Sequence, residues 1–203
     1  MAVPGSTSIT YHYTNCALKD FDVTVTYTCD SEDAVKVTVA FPGVENQPDL
    51  PALGLSFQLD SRLDQVTYYG MGPDECYCDR NTGALLGVYE YGVEDGFTRY
   101  CKPQESGNRM GVRWLTVTGE DGHGVRVESI DQPLEVSVSP WLPEEMMNKW
   151  HPDELVGSCR TILDVAMFRK GVGGDDSWGA PVLPQYTYPS DKPYTFSFLI
   201  KGI

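Results

Sequence analysis

Alternation of apolar and polar residues with a period of two runs through most of this chain, and it limits the fold more than any other feature. In the stretch 21–29, FDVTVTYTC, the alternation places Phe21, Val23, Val25 and Tyr27 on one face of a strand. Nine other stretches also indicate strands: 34–41, 53–59, 65–69, 85–91, 111–118, 125–129, 134–139, 161–165 and 194–200.

A helix is predicted at 143–150, because Pro143 and two Glu residues occupy its first turn and a Lys lies near its end. So many strands beside one helix predict an all-β, antiparallel sandwich. The chain has no internal repeat, and we expect residues 1–203 to form a single domain.

The charge balance excludes some classes of partner. The chain has 15 Lys and Arg residues against 29 Asp and Glu residues, for a net charge of −14. Nucleic acid and anionic membranes are therefore not expected as partners, whereas a neutral sugar is compatible with this charge. Since no apolar stretch approaches the ~18 residues of a membrane span and residues 1–10 lack a secretory signal, we expect a cytoplasmic protein.

The cysteines and histidines have no metal-ligand spacing, so neither a metal nor a cofactor is predicted. The six cysteines favour free thiols, buried or half-buried, over a disulfide or reactive pair. Cys76 and Cys78 would point the same way if they lay in a strand.

Three segments rich in Gly, acidic and aromatic residues separate the predicted strands. Loop 1 is 70–84, GMGPDECYCDRNTGA; loop 2 is 102–109, KPQESGNR; and loop 3 is 171–179, GVGGDDSWG. In β proteins such loops usually carry the function.

Together the loops resemble the small-chain region of bacterial β-galactosidases in family 2 of the glycoside hydrolases. That family carries GPxENYxDR, PQENGxR and GxGGDDSW segments in this order, and the resemblance extends from about Thr10 to Ile203. It implies a galactose mutarotase-like β-supersandwich that follows a (β/α)8 barrel holding the two catalytic glutamates. Because the family's opening strands have no counterpart before Thr10, it also implies that the first strands of the supersandwich are missing.

The resemblance implies no catalytic residue in this chain, and it implies that Trp178 contacts the aglycone sugar. From the residues alone, Trp178 is either a sugar-stacking platform or a loop plug packed on the sandwich. Retaining glycoside hydrolysis needs two carboxyls ~5 to 5.5 Å apart. The loop carboxylates instead favour a scaffold role, in which they bond backbone N–H groups or pair with arginines, and Arg80 and Arg109 are predicted to be buried. The candidate scaffold residues are Glu75, Arg80, Glu105, Arg109, Asp175 and Asp176.

Cys76 and Ser106 stand where the family has Asn, so hydrogen bonds made by those Asn side chains are not expected here. The tryptophans outside loop 3 are predicted to serve core or interface packing: Trp114, Trp141 and Trp150.

Three functions are compatible with these observations. The first is a β-galactosidase component that is inactive alone, works with a barrel domain on the same or a partner chain, and acts on a β-galactoside. The second is a stand-alone carbohydrate-binding module. The third is a mutarotase-like enzyme, which needs a His/Glu pair that the three scattered histidines do not suggest. An unpaired strand at the sheet edge would favour a homo-oligomer.

Overall fold

A computed structural model describes residues 5–14, 20–29, 33–176 and 179–203. Within these residues the chain forms twelve strands: β1 (Gly5–Tyr13), β2 (Phe21–Cys29), β3 (Val35–Phe41), β4 (Ala52–Asp60), β5 (Gln65–Gly72), β6 (Leu85–Gly92), β7 (Arg109–Val112), β8 (Trp114–Thr118), β9 (Gly124–Ser129), β10 (Leu134–Ser139), β11 (Arg160–Arg169) and β12 (Tyr194–Gly202). One short helix, α1 (Pro143–Met147), and 3-10 turns at 93–95, 152–154 and 184–186 complete the described structure.

The strands form two antiparallel sheets, which confirms the predicted fold class. The large sheet has eight strands in the order β1-β2-β3-β12-β9-β8-β5-β6, and the small sheet has the order β4-β11-β10-β7. Their inner faces meet in one apolar core that includes Val39 and Phe196 from the large sheet and Leu163 from the small one. Across that core, the rings of Phe57 and Phe198 pack edge to face with centroids 6.2 Å apart.

The small sheet is covered on its outer face as well. All six residues of β10 are buried, although they alternate between apolar Leu134, Val136 and Val138 and polar Glu135, Ser137 and Ser139. A layer of irregular chain covers the polar face, and its own small apolar cluster contains Phe97, Trp141 and Met146.

A β-bulge decides which side chain of β11 meets this layer. The pairing of β11 with β4 shifts between Ala166 and Phe168. The extra residue reverses the alternation, so Phe168 lies in the apolar core and Arg169 points to the outer face. The bulge thereby places a buried cation among the polar side chains of β10.

The sequence predicted ten strand regions, and each contains a strand. The segment 111–118 is two strands rather than one, because Gly111 adopts a φ of +62° and the pairing changes at Arg113. Strand β1 was missed; it is exposed along its whole length, so burial imposes no apolar pattern on it. The helix ends at Met147, three residues before its predicted end.

Two of the remaining tryptophans show the limits of sequence-based burial. Trp141 is buried as predicted. Trp150 is 70% exposed beneath the amino group of Lys102, so core packing was wrong for it and interface packing stays a prediction. None of the helices in the described part of the chain is long and apolar enough to cross a membrane.

Candidate functional site

Loops 1, 2 and 3 meet at one end of the sandwich, with loop 1 in the middle. The N–H of Gly173 in loop 3 donates to Oδ2 of Asp79 in loop 1 over 2.8 Å. The N–H of Gly107 in loop 2 donates to Oε2 of Glu75 in loop 1 over 2.6 Å. We call this assembly the loop cluster.

Glu75 is the acceptor that joins loop 1 to loop 2. Its side chain is 8% exposed, and its Oε1 accepts hydrogen bonds from Arg80 and from the hydroxyl of Tyr100. Burial alone would raise the pKa of Glu75, but the donors around the carboxylate, with Gly107 N–H first, outweigh burial and hold the pKa below its ordinary value. Glu75 is therefore an ionised scaffold group, as the sequence predicted.

Asn108 fastens loops 1 and 2 to the small sheet. It is fully buried, and its Nδ2 donates to the carbonyl of Cys76 over 2.9 Å and to Oε2 of Glu135 over 2.8 Å. The main-chain carbonyl of Asn108 accepts from Cys76 N–H over 2.8 Å. The neighbouring Gly107 has a φ of +79° and lies so close to the Gly96 carbonyl that a Cβ would overlap it.

The two arginines of the predicted scaffold differ in burial. Arg109 is 6% exposed, donates to the Gly107 carbonyl over 3.1 Å, and lies 5.0 Å from the ring centroid of Tyr91, so its predicted burial is confirmed. Arg80 is paired as predicted, but its side chain is 48% exposed. Its predicted burial was wrong, because the turn that begins at buried Tyr77 brings Arg80 out to the surface.

Loop 3 is held at both ends of its described part. The Gly171 N–H donates to the Tyr186 carbonyl over 3.0 Å, and the Ala180 N–H donates to Oδ1 of Asp176 over 3.2 Å. Asp175 is exposed. Trp178 lies outside the described residues, so the exposure of its indole stays a prediction.

Glu105 pairs with an arginine that the sequence reasoning did not select. Its Oε1 lies 2.8 Å from Nη1 of Arg169, whose side chain is 8% exposed and whose Nη2 lies 3.7 Å from Oδ2 of Asp164. The buried Glu135 was also missed. Its strand, LEVSVS, gave no signal for this burial, because alternating Glu and Ser residues are typical of a solvated face.

Cys76 and Ser106, which stand where the resemblance led us to expect Asn, both accept hydrogen bonds. The Sγ of Cys76 accepts from Met110 N–H over 3.3 Å, and the Oγ of Ser106 accepts from Thr98 N–H over 3.2 Å. Cys76 and Cys78 contact different neighbours, because they lie in a turn rather than a strand. The five described cysteines are free, but Cys101 and Cys159 are exposed, so burial was wrong for these two.

Loop 1 lines an open cavity of about 470 Å³. Its side-chain donors and acceptors are suited to a ligand with several hydroxyl groups; they belong to Asp74, Glu75, Asp79, Arg80, Asn81 and Thr82. A larger cavity of about 840 Å³ lies beside Arg62 and His123, at the other end of β5 and away from the loop cluster. In the part of the chain that the structure describes, no three His, Cys, Asp or Glu side chains form a metal site.

The three motif-bearing segments meet in the loop cluster, and all three lie within the part of the chain that matches one sequence family. A model of the family described as "Beta galactosidase small chain" matches residues 2–200. The chain belongs to this family.

Curated relatives support the assignment to the β-galactosidase small chain family. A β-galactosidase of Halalkalibacterium halodurans is 39% identical over 206 residues, which cover 98% of this chain and 20% of that protein. A β-galactosidase small subunit of Latilactobacillus sakei is 31% identical over 204 residues, which cover 95% of this chain and 63% of that protein. The chain spans about a fifth of the length of the first relatives it matches. Among solved structures, the chain is similar to a galactose mutarotase related enzyme from Lactobacillus acidophilus. The match covers 97% of this chain and 68% of that chain, with 11% sequence identity and a TM-score of 0.46.

Proposed function

We propose that this chain is the C-terminal part of a retaining β-galactosidase of glycoside hydrolase family 2. Its loop cluster forms the aglycone side of an active site whose catalytic glutamates lie on a barrel domain, on the same or a partner chain. The observation that carries the proposal is the Asp79–Gly173 hydrogen bond, because it anchors the glycine-rich segment that leads to Trp178 on a loop that is itself fastened to the small sheet. The family match supports the enzyme class.

The proposed division of labour follows from the carboxylates of the loop cluster. Glu75 takes three donors, Glu105 takes Arg169, and Asp79 takes Gly173 N–H, so each already serves a structural contact. Retaining hydrolysis needs an acid and a nucleophile carboxyl that face the scissile bond together, whereas these three carboxyls are held by scaffold contacts. We therefore expect the isolated chain to leave a chromogenic β-galactoside intact.

In this proposal Trp178 offers its flat ring to the apolar C–H face of the aglycone sugar. Loop 3, fixed by Asp79 and Asp176, loses little entropy when a sugar binds. Galactosyl transfer from an aryl galactoside depends less on this contact, because its chemistry belongs to the barrel.

The test compares Trp178→Ala with wild type in the complete enzyme. We expect acceptor inhibition and lactose binding to weaken by about 1 to 2 kcal/mol, the scale of one aromatic contact, with a smaller loss on an aryl galactoside. Trp178→Phe is the matched control, since it keeps an aromatic face at the same position. Equal acceptor affinity in wild type and Trp178→Ala, or turnover by the isolated chain above a heat-killed sample, would remove the proposed role.

A stand-alone carbohydrate-binding module is the second candidate, and the cavity in loop 1 favours it. Asp79 lines this cavity, and its buried Oδ1 has no hydrogen-bond partner among the described residues. The hydroxyl of a bound sugar could donate the missing hydrogen bond. Titration of galactose and lactose into the isolated chain separates the candidates. A module binds at micromolar to millimolar concentration, whereas half of an active site hardly binds.

A further inference from the structure

Glu135 is a buried acid that the proposed reaction does not use. It lies on the outer face of β10, 6% exposed, and its carboxyl accepts from Asn108, the residue that also clamps Cys76. A single side chain thus connects the small sheet to both loop 1 and loop 2. Any change at this carboxyl acts on the loop cluster through Asn108.

The charges around Glu135 do not balance. Arg169 of β11 is the cation that faces it, and Glu105 of loop 2 faces it as a like charge. Arg169 already pairs with Glu105 and lies near Asp164. Full ionisation would therefore place three carboxylates around one guanidinium, and burying an unpaired charge is costly.

The other titratable neighbours do not supply the missing charge. Cys76 and Cys78 of loop 1 face Glu135, and burial raises the pKa of both thiols. Tyr188, which precedes β12, also faces it, and burial raises the pKa of that phenol to about 12. These groups stay neutral near pH 7. The charges around Arg169 therefore balance only if one of the carboxyls carries a proton.

We propose that Glu135 is a positioning residue that fastens loops 1 and 2 to the small sheet while it carries a proton, so that one buried proton controls the geometry of the loop cluster. The carboxyl of Glu135 is the most buried of the three. It accepts from the main-chain N–H of Arg169 but forms no ion pair with its guanidinium, which pairs with Glu105 and Asp164 instead. Loss of the proton adds an uncompensated charge under Asn108 and favours opening of the loops to water. The inference rests on the proposed function only for what the loop cluster does.

The pH dependence has a defined sign. Burial raises the pKa of Glu135 from 4.5 to about 7 against the hydrogen bond from Asn108 and the charge of Arg169. The folded form therefore holds the proton after the unfolded chain has released its own. The contribution of this group to stability is complete below pH 4.5 and is lost as the pH rises to about 7.

The first experiment follows the Glu135 carboxyl itself in the full chain, by NMR of carboxyl carbons in ¹³C-glutamate protein, with Glu135→Gln to assign the resonance. A midpoint near 7 supports the proposal, and a midpoint at or below 4.5 overturns it. The wild-type titration stands even if the variant does not fold.

The second experiment measures equilibrium unfolding between pH 5.5 and 8. The folding constant of Glu135→Gln relative to wild type should rise about tenfold per pH unit up to about 7 and then level off. Glu128→Gln is the matched control, because hydrogen bonds from Arg126 and Lys201 hold the pKa of Glu128 below its ordinary value and both states are ionised in this range. A ratio for Glu135→Gln that does not change with pH would contradict the proposal.

The third experiment asks whether the proton acts on the loops. Amide exchange, corrected for its intrinsic pH dependence, should show falling protection of Cys76 and Gly107 N–H above pH 7 in wild type and constant protection in Glu135→Gln. Equal behaviour of the two proteins would leave Glu135 buried but without a positioning role. None of these measurements needs a galactoside, so a failure of the proposed function is detected separately.

Discussion

The two faces of β10 are buried to the same degree by different means. On the inner face, Leu134, Val136 and Val138 pack in the apolar core between the sheets. On the outer face, Glu135, Ser137 and Ser139 are 6–8% exposed beneath irregular chain. Hydrogen bonds join Glu135 and Ser139 to that chain, and Ser137 to Asp164 and Arg169 of β11.

The difference follows from what covers each face. The inner face is covered by the large sheet, whose backbone N–H and C=O groups already bond one another between strands. That sheet presents only side chains to β10, so apolar contact is sufficient. Irregular loops present N–H and C=O groups, and these must find polar partners once they are buried. The inner face therefore tolerates changes of shape poorly, whereas the outer face tolerates changes of charge poorly.

The largest effect is expected at the charged centre of the outer face. Arg169→Met leaves Asp164 and Glu105 without their cation and should lower the free energy of unfolding by about 3–5 kcal/mol. Adding Asp164→Asn should recover part of this loss, because it removes the charge that was left unpaired. Urea unfolding of the single and double variants measures both, and a double variant no more stable than the single one would argue against a charge effect.

The inner face should respond to lost volume. Leu163→Ala removes a fully buried side chain from the core and should cost about 2–5 kcal/mol. Here no second substitution of charge can compensate, and the cost should not vary with pH. Ser137→Ala on the outer face is the comparison, and a cost as large as that of Leu163→Ala would break the proposed distinction.

Arg109 combines both kinds of burial. Its guanidinium donates to loop carbonyls and contacts the rings of Tyr68 and Tyr91. Arg109→Ala should lower stability by about 2–4 kcal/mol, through lost packing and unsatisfied carbonyls, rather than change sugar binding alone. Thermal melting checks this, with exposed Arg62→Ala as the control expected to leave the melting temperature unchanged.

The smallest effect is expected where the polar layer ends at loop 3. Asp79→Ala removes the acceptor of Gly173 N–H and should cost about 1–2 kcal/mol. Its sharper consequence is local: limited proteolysis should cut loop 3 faster than in wild type. Asp74→Ala, in the same loop and exposed, should leave the cleavage rate unchanged.

The inner face could be predicted from the sequence, and the outer face could not. Alternation in 21–29 placed Phe21, Val23, Val25 and Tyr27 on one face, and all four pack in or against the core, because packing between sheets imposes a period of two. Alternation also suggests that the opposite residues face water. The bulge in β11 and the path of the covering loops bring three polar residues together in the interior: Arg169, Glu135 and Asn108.

The loop cluster shows the same limit. The motifs identified loops 1, 2 and 3, and Glu75 was correctly predicted to be a scaffold group. The partner of Glu105 was not predicted, because Arg169 is 64 residues away in sequence and reaches Glu105 only across the folded sheet. Long-range pairings of this kind depend on topology rather than on local pattern.

The strand order of the large sheet has a consequence for how the molecule assembles. β12, the last of the twelve described strands, lies between β3 and β9 in the large sheet. It therefore joins two groups of strands, β1-β2-β3 and β9-β8-β5-β6, that precede it in the sequence. Its pairing with β3 closes a loop of more than 150 residues (Thr195 opposite Ala40), and such non-local contacts form slowly. During synthesis, the edges of β3 and β9 remain open until the final strand emerges. Folding of the large sheet therefore has to follow translation of β12, and the partly made chain exposes two strand edges that are prone to aggregation.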